Sequence, residues 1–376
     1  MRILHTADWH LGIDLHKVSL IEDQRYFIRQ LEKILVEEDI DLVLIAGDVY
    51  DTLLASKEAI ELYNEAMNMM CLKLHKQVII IAGNHDSPVR LASCADLLAP
   101  MGLHVIGKIE EKIQGLRFGD TVVYPIPFFH PHTVRNVYQA EDVTTPEEAF
   151  RVIVEDLRPQ MKKEDKHIVM AHTFMAGSSV CESDRFAEAG GAELVNSAVF
   201  KDFDYVALGH LHRRQKAGDN AAYSGSPLPY SFSEAGHKKQ VLIYDTKRDE
   251  VEERTIEPLH PLRVLQGSFE ELREQMKQDN VEDDAYVKIE VIDTAVSLEM
   301  LEYFRQEYDH LLQLSGKGQT QGDSFITLEL DEMSEMNDLD VVKRFFMDYY
   351  GEELDEDQTA LFLEAKRNCE EGDYVS

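Results

Sequence analysis

Five short apolar runs in this chain each end beside side chains able to hold a cation. "RILHTA" is followed by Asp8 and His10, and "DLVLIAG" by Asp48 with Asp51 close behind. "QVIIIAG" runs into Asn84, His85 and Asp86, "HIVMA" into His172, and "DYVALG" into His210 and His212. Apolar runs of this length, parted by stretches of helical period, read as buried strands of a layered α/β fold. In such folds ligands gather outside the carboxyl ends of strands, so residues far apart in sequence are expected to converge there.

The spacing within two of these motifs adds a reason. In extended chain, residues i and i+2 point the same way, so Asp8 faces with His10, and His210 with His212. With Asp48, Asn84 and His172 the set holds seven nitrogen and oxygen donors, too many for one tetrahedral zinc. It suits two cations held close together, with the Asp48 carboxylate as the bridge. Mixed imidazole and carboxylate ligation without thiolate favours manganese, iron or zinc over magnesium alone. A lone histidine at a strand end is more often a structural hydrogen-bonding group, and "AGD" or "AGN" alone is a common turn. The joint occurrence decides for a two-metal site.

Strands and helices alternate through the first part of the chain. Helices are expected from about residue 21 to 38 and 56 to 74, and "TPEEAF" carries a capping box between Thr145 and Glu148 behind Pro146. "MNMM" (Met67 to Met70) reads as core filler on the second helix. Toward the end of this region strands follow one another without helices, so a mixed sheet is expected. Pro258 and Pro261 mark a linker. The expected division is a large α/β domain at 1–259, a small α+β domain at 260–325, and an acidic helical segment at 326–376. In the small domain "SFEELREQM" starts on a Ser268–Glu271 capping box, "HLLQL" reads as a last strand, and "SGKGQTQGDS" as a loop or linker. The last segment, from Asp331 on, has 15 acidic against 4 basic residues. An apolar stripe of Val342, Phe345, Phe346, Tyr349 and Tyr350 and a cap at Asp355 and Gln358 predict a pair of amphipathic helices.

The formal net charge of −33 argues against nucleic-acid binding through a broad basic face. Two routes to a polyanion remain: bound cations or a basic partner. "HRRQK" (His212 to Lys216) and "HKK" (His237 to Lys239) are the strongest basic clusters, suited to phosphate contact or to a solvated face. Four scattered cysteines without CxxC spacing fit a reducing compartment. No signal-peptide layout and no run near ~20 apolar residues is present, so the expectation is a cytoplasmic protein with no membrane contact. There is no GxxxxGK[ST] motif, so ATP dependence would come from a partner.

Together, "DWH", "GDVYD", "GNHD", the lone "AH" at 171–172 and "GHLH" resemble the calcineurin-like metallophosphoesterase pattern. "MRILHTADWHLG", "IAGDVYDT", "IAGNHDS", "ALGHLH" and "YSGSPLPYSFSE" are similar, more narrowly, to nuclease subunits of bacterial, archaeal and eukaryotic double-strand-break repair complexes. The resemblance implies a layered metallophosphoesterase fold of mixed sheets flanked by helices, with a small α+β capping domain and a C-terminal helical pair. It implies two divalent cations, manganese foremost: one on Asp8, His10, Asp48 and His212, the other on Asp48, Asn84, His172 and His210. His85 would face the scissile phosphate, and Asp51 stands where the family often places the residue that orients this histidine. The implied activity is 3′–5′ exonuclease on double-stranded DNA and endonuclease on single strands and hairpins, in repair, recombination and replication. The implied partners are DNA, a second copy of this subunit, and a coiled-coil ATPase in a heterotetramer, bound through the C-terminal helices. The rival readings are a metallophosphoesterase of small nucleotides or phosphoproteins, and a scaffold with an inactive site.

Overall fold

The structure, a computed structural model, describes residues 1–184, 194–278, 284–317 and 325–329, with isolated positions between 339 and 362. The chain divides into two compact units, Met1–Leu259 and His260–Ser376.

The first unit is built on two six-stranded mixed sheets. One runs in the order Glu250–Ile256, Lys239–Asp245, Arg2–Thr6, Leu42–Ala46, Gln77–Ile81, Leu103–Ile106. Its last four strands are parallel, and the first two join antiparallel. The other runs Gln215–Lys216, Ala221–Tyr223, Tyr205–Gly209, Lys166–His172, Thr121–Ile126, Leu116–Phe118, parallel in its middle and antiparallel at both edges. Mixed sheets are therefore what the chain forms, with Glu250–Ile256 as a half-exposed edge strand beyond the runs picked out by sequence.

Strand alternation explains how both faces of the first sheet are filled. Ile3, Leu42, Leu44, Ile79 and Ile81 meet Val123, Ile168, Met170, Tyr205 and Ala207 of the second sheet in one apolar layer. The alternate residues Leu4, Val43, Ile45, Val78 and Ile80 are equally buried on the opposite face. That double burial is why these strands read as unbroken apolar runs. On the second sheet's outer face lies the helix Pro146–Leu157, which contributes Ala149, Phe150, Ile153, Val154 and Leu157 to the core. It starts on the expected capping box: Thr145 accepts from the Glu148 amide while the Glu148 carboxylate accepts from the Thr145 amide.

The helix Ile21–Glu37 buries Phe27, Ile28, Leu31 and Leu35 along one stripe. The second expected helix is α-helical only over Lys57–Met67 and then widens to π-helical turns over Asn68–Lys73, with Met67, Met69 and Met70 buried. Among the described residues no helix is long and apolar enough to cross a membrane.

The second unit holds a four-stranded sheet in the order Leu262–Gly267, Tyr286–Val291, Leu311–Lys317, Phe325–Glu329. The first three strands are parallel and the last is antiparallel. The helices Phe269–Gln278 and Leu298–Glu307 join them and share their core through Leu272, Met276, Leu301 and Phe304. "HLLQL" is thus not the last strand. The chain beyond "SGKGQTQGDS" returns as Phe325–Glu329, a strand the sequence reading did not anticipate. The expected C-terminal helical pair falls almost wholly outside the described residues.

Leu44 is fully buried between the two sheets of the first unit. Leu44→Ala should lower that unit's stability by about 2–5 kcal/mol, the usual result of an unfilled cavity. A urea titration followed by near-ultraviolet circular dichroism reads this directly.

Candidate metal centre

The candidate ligands lie just past strand ends, and backbone torsion brings them together. Arg2–Thr6 stops before Asp8, Leu42–Ala46 before Asp48, and Tyr205–Gly209 before His210. Asp8, His10, Asp48 and His210 all have positive φ. That region is costly for residues with a Cβ. Strand alternation, the reason given for pairing Asp8 with His10 and His210 with His212, therefore does not apply: these residues have left the extended conformation. They converge because tertiary contacts hold them in strained turns, as is common at functional sites.

Those contacts are specific. The Asp8, His10 and Leu11 amides donate to the carbonyls of Gly47, Asp48 and Val49 at 2.9–3.0 Å, so two of the loops run side by side. The His210 amide donates to Asp8 Oδ1 at 2.8 Å, and the His85 amide to Asp48 Oδ1 at 2.9 Å. Close approach also requires glycine. A Cβ on Gly209 would strike the Ala46 carbonyl, and one on Gly47, itself at positive φ, would strike the His172 ring.

Seven donors meet as a result. His172 Nε2 lies 3.0 Å from Asn84 Oδ1 and 3.2 Å from Asp48 Oδ2. His210 Nδ1 is 3.0 Å from Asn84 Oδ1. His10 Nε2 is 3.1 Å from His212 Nε2 and 3.7 Å from Asp48 Oδ2. Asp8, His10 and Asp48 offer atoms within 4.8 Å of one another.

Hydrogen bonds fix which nitrogen each ring turns inward. A carbonyl only accepts, so His172 Nδ1–H donates to Ala46 O at 2.8 Å and its Nε2 is left for the site. Ser183 Oγ donates to Glu234 Oε1 at 2.6 Å, so it receives its other bond from His212 Nδ1–H at 2.8 Å. That leaves the His212 Nε2 lone pair facing His10.

The electrostatics are those of a cation site. Burial, with His172 lowering and Asp48 raising, pushes Asp8 up to about 7. Burial acts the same way on Asp48, but the charge and hydrogen bond of His172, then His10 and His85, outweigh it and hold Asp48 well below the usual carboxylate range. Burial drops His210 to about 3 and His212 well below its ordinary value, so both rings stay neutral, the form that binds metal. Asp8 Oδ2 is buried without a hydrogen-bond partner among the described residues. The neutral rings of His210 and His212 and an orphaned carboxylate oxygen are what divalent cations would satisfy. Burial pulls His10 and His172 down, but the neighbouring carboxylates outweigh it and raise both, His172 to about 9. A proton stands there where a cation would, and the donor set fits.

His85 and Asp51 relate differently from the expectation. His85 Nδ1–H donates to the Asp51 main-chain carbonyl at 2.8 Å, so the backbone orients the ring and leaves its Nε2 for chemistry. The Asp51 carboxylate instead stands 3.5 Å from His10 Nδ1.

Several residues to which the sequence reading gave no supporting role hold the donors in place. Gln24 is fully buried on the helix Ile21–Glu37; its amide donates to the carbonyls of Trp9 and His10 and accepts from the Gly12 amide. Tyr230 donates to the Trp9 carbonyl at 2.6 Å. The Asp86 carboxylate accepts from the amides of Val49, Tyr50 and Gly83, tying the Asp48 loop to the Asn84 loop. Behind His212, Lys239 is buried; its ammonium donates to the His212 carbonyl at 3.1 Å and to Ser226 Oγ at 2.8 Å, and pairs with Glu234. Trp9 points away from the donors, edge-on to Phe27, as expected for packing. Cys181, Glu234 and His237 also come together, but the Glu234 carboxylate is engaged by Lys239, and burial raises the Cys181 thiol to about 11. A thiol held protonated is a poor metal ligand.

Comparison with known proteins identifies the family. Residues 1–214, more than half the chain, match the family model of calcineurin-like phosphoesterases, and the chain belongs to that family. Residues 258–350 match the model described as the type 5 capsule protein repressor C-terminal domain. The chain is similar to the SbcD-type subunit of the nuclease SbcCD from Staphylococcus epidermidis, at 29% identity over 364 residues, covering 96% of each protein. Among solved structures it is similar to TT1561 of Thermus thermophilus, at 13% identity and a TM-score of 0.42, over 68% of this chain and 99% of that one. It is also similar to an archaeal phosphodiesterase, at 13% identity and a TM-score of 0.34, over 68% of this chain and 99% of the other.

Lys239→Met leaves the Glu234 charge buried without its partner, which should cost about 3–5 kcal/mol. The double variant K239M/E234L should recover most of that loss while still loosening His212 through Ser183. Denaturation midpoints and manganese titration calorimetry on the three proteins separate the two effects.

Proposed function

We propose that this protein is a two-metal DNA nuclease, the catalytic subunit of an SbcCD-type complex. One observation carries the reading: metal-capable donors from five strand ends converge on Asp48 in a chain that matches a nuclease subunit over 96% of its length, residues beyond 259 included. Similarity that continues past the phosphoesterase region supports a nuclease over a phosphatase of small nucleotides or phosphoproteins.

In this reading Asp8, His10, Asp48 and His212 hold one divalent cation, and Asp48, Asn84, His172 and His210 the other, manganese being the ion that suits the donors. Bound there, the pair supplies Lewis-acid charge to the phosphodiester and makes water acidic enough to attack near neutral pH. The chain's own groups do the rest. Asp51's carbonyl holds the His85 ring so that Nε2 can carry a proton to the leaving 3′ oxygen. Asp51's carboxylate, beside His10 Nδ1, keeps that ring turned toward the donors. The buried walls keep bulk water from the reacting atoms.

The expected substrates are double-stranded DNA ends, cut 3′–5′, and single strands or hairpins, cut internally. An SbcC-type ATPase supplies ATP dependence, in a heterotetramer around a dimer of this subunit in the cytoplasm. Residues 260–329, a boundary moved to include the strand Phe325–Glu329, help place DNA, and the acidic segment that follows binds the ATPase.

The test is a substrate panel with manganese: labelled hairpin and linear DNA against nucleotides and phosphopeptides, with and without the ATPase. Cleavage of the DNA substrates is expected; hydrolysis of only the small phosphoesters would refute the reading. His85→Ala should keep normal manganese content by atomic absorption and lose at least about 100-fold in kcat, the scale of a lost general acid. Full turnover with normal metal would remove His85 from the mechanism.

A further inference from the structure

Beside the metal centre the first unit carries a cleft of about 580 Å³ whose lining includes His212, Arg213, Lys216, His237, Lys238 and Glu253. We infer that this cleft binds the sugar-phosphate backbone of DNA next to the bond that is cut. The inference rests on the nuclease reading above and extends it to where the substrate strand lies.

The argument is one of unspent charge. In a chain of net charge −33, several arginines elsewhere on this unit are met by carboxylates: Arg2 and Arg254 by Glu38, and Arg248 by Asp245 and Glu252. Among the described residues Arg29, Arg90 and Arg135 are not, but none of them lines this cleft. Two cations of the cleft are likewise taken. Arg214 pairs with Glu253 at 3.0 Å, and Lys239 turns inward to Glu234 and the His212 carbonyl. Arg213, Lys216 and Lys238 are different. All three are exposed, and among the described residues none is paired with a carboxylate. His237 adds a ring whose Nδ1 is buried and lacks a hydrogen-bond partner among the described residues.

Three exposed cations with no paired carboxylate, gathered in one concavity, are donors without an acceptor. The complementary ligand carries negative oxygens at intervals, and a DNA strand supplies them. Point charges on flexible stems grip phosphates without reading bases, as a nuclease that acts on any end requires. The strand's position follows from the chain itself: Arg213 is the residue after His212, so phosphate contacts begin one residue from a metal donor.

The test uses the full-length, manganese-loaded protein and the triple variant R213Q/K216Q/K238Q, changed only at exposed side chains. KM for a labelled DNA hairpin should rise at least tenfold. The slope of log(kcat/KM) against log salt should become shallower by about 2–3, at about 0.7–0.9 for each phosphate no longer gripped. Hydrolysis of bis(p-nitrophenyl) phosphate, which spans no cleft, should change less than threefold. Glu253→Gln, which releases Arg214, should move KM for DNA the opposite way. An unchanged KM and salt slope in the triple variant, with the parent cutting DNA normally, overturns the inference and leaves the nuclease reading standing. Equal loss on DNA and on the small diester, with normal circular dichroism and manganese content, also overturns it, because the residues would then belong to the reaction centre. A parent protein that hydrolyses the small diester but neither binds nor cuts DNA overturns the nuclease reading, and this inference with it.

Discussion

Two carboxylates, Asp8 and Asp48, are buried at the meeting point of the two sheets' loops, and the first unit is organised around making that tolerable. A buried carboxylate without compensation is costly enough to protonate or to unfold what surrounds it. Here compensation is distributed: the His210 and His85 amides donate to the two carboxylates, and the imidazoles of His10 and His172 lie within 4.0 Å of them. What hydrogen bonds leave unsatisfied, notably Asp8 Oδ2, a cation would complete. The strained torsions at Asp8, His10, Asp48 and His210 persist because so many independent contacts hold them in place.

How much of this was legible depends on whether the signal was local. The strand-end motifs were legible because sheet burial and loop chemistry sit side by side in the sequence. The reason for convergence was not. Alternation along a strand ends where the strand ends, and positive φ at non-glycine residues leaves no mark in composition. The supporting groups were equally hidden. Gln24, Glu234 and Lys239 look like ordinary surface residues, and their burial is decided by the fold around them; Ser183 gains its role only through contact with His212. Asp51 shows the limit of reading roles from spacing: its carbonyl serves His85 and its carboxylate serves His10. In the second unit the Gly- and Ser-rich stretch masked the strand that follows it, because a loop between two strands and a linker between two domains share one composition.

The distribution of charge is as informative as its total. Along the edge of the first sheet, Arg2, Arg248 and Arg254 interlock with Glu38, Asp245 and Glu252. Exposed pairs of this kind contribute little each, about 0–1 kcal/mol, yet they consume the basic residues. Cations that stay unpaired and gather in one place, as Arg213, Lys216 and Lys238 do, stand out against that background.

The order of the strands also sets a timetable. Arg2–Thr6, which leads into Asp8 and His10, lies between Leu42–Ala46 and Lys239–Asp245 in its sheet. During synthesis the first ligands to leave the ribosome must wait for a neighbour encoded near the far end of the first unit. Until that strand arrives, the carboxylates have no finished enclosure and the earliest histidines are spread along open chain. Such non-local pairing slows folding and leaves apolar edges exposed while the chain grows. A chain that stops before Lys239 therefore carries every candidate donor but lacks the strand that flanks Arg2–Thr6 in the finished sheet.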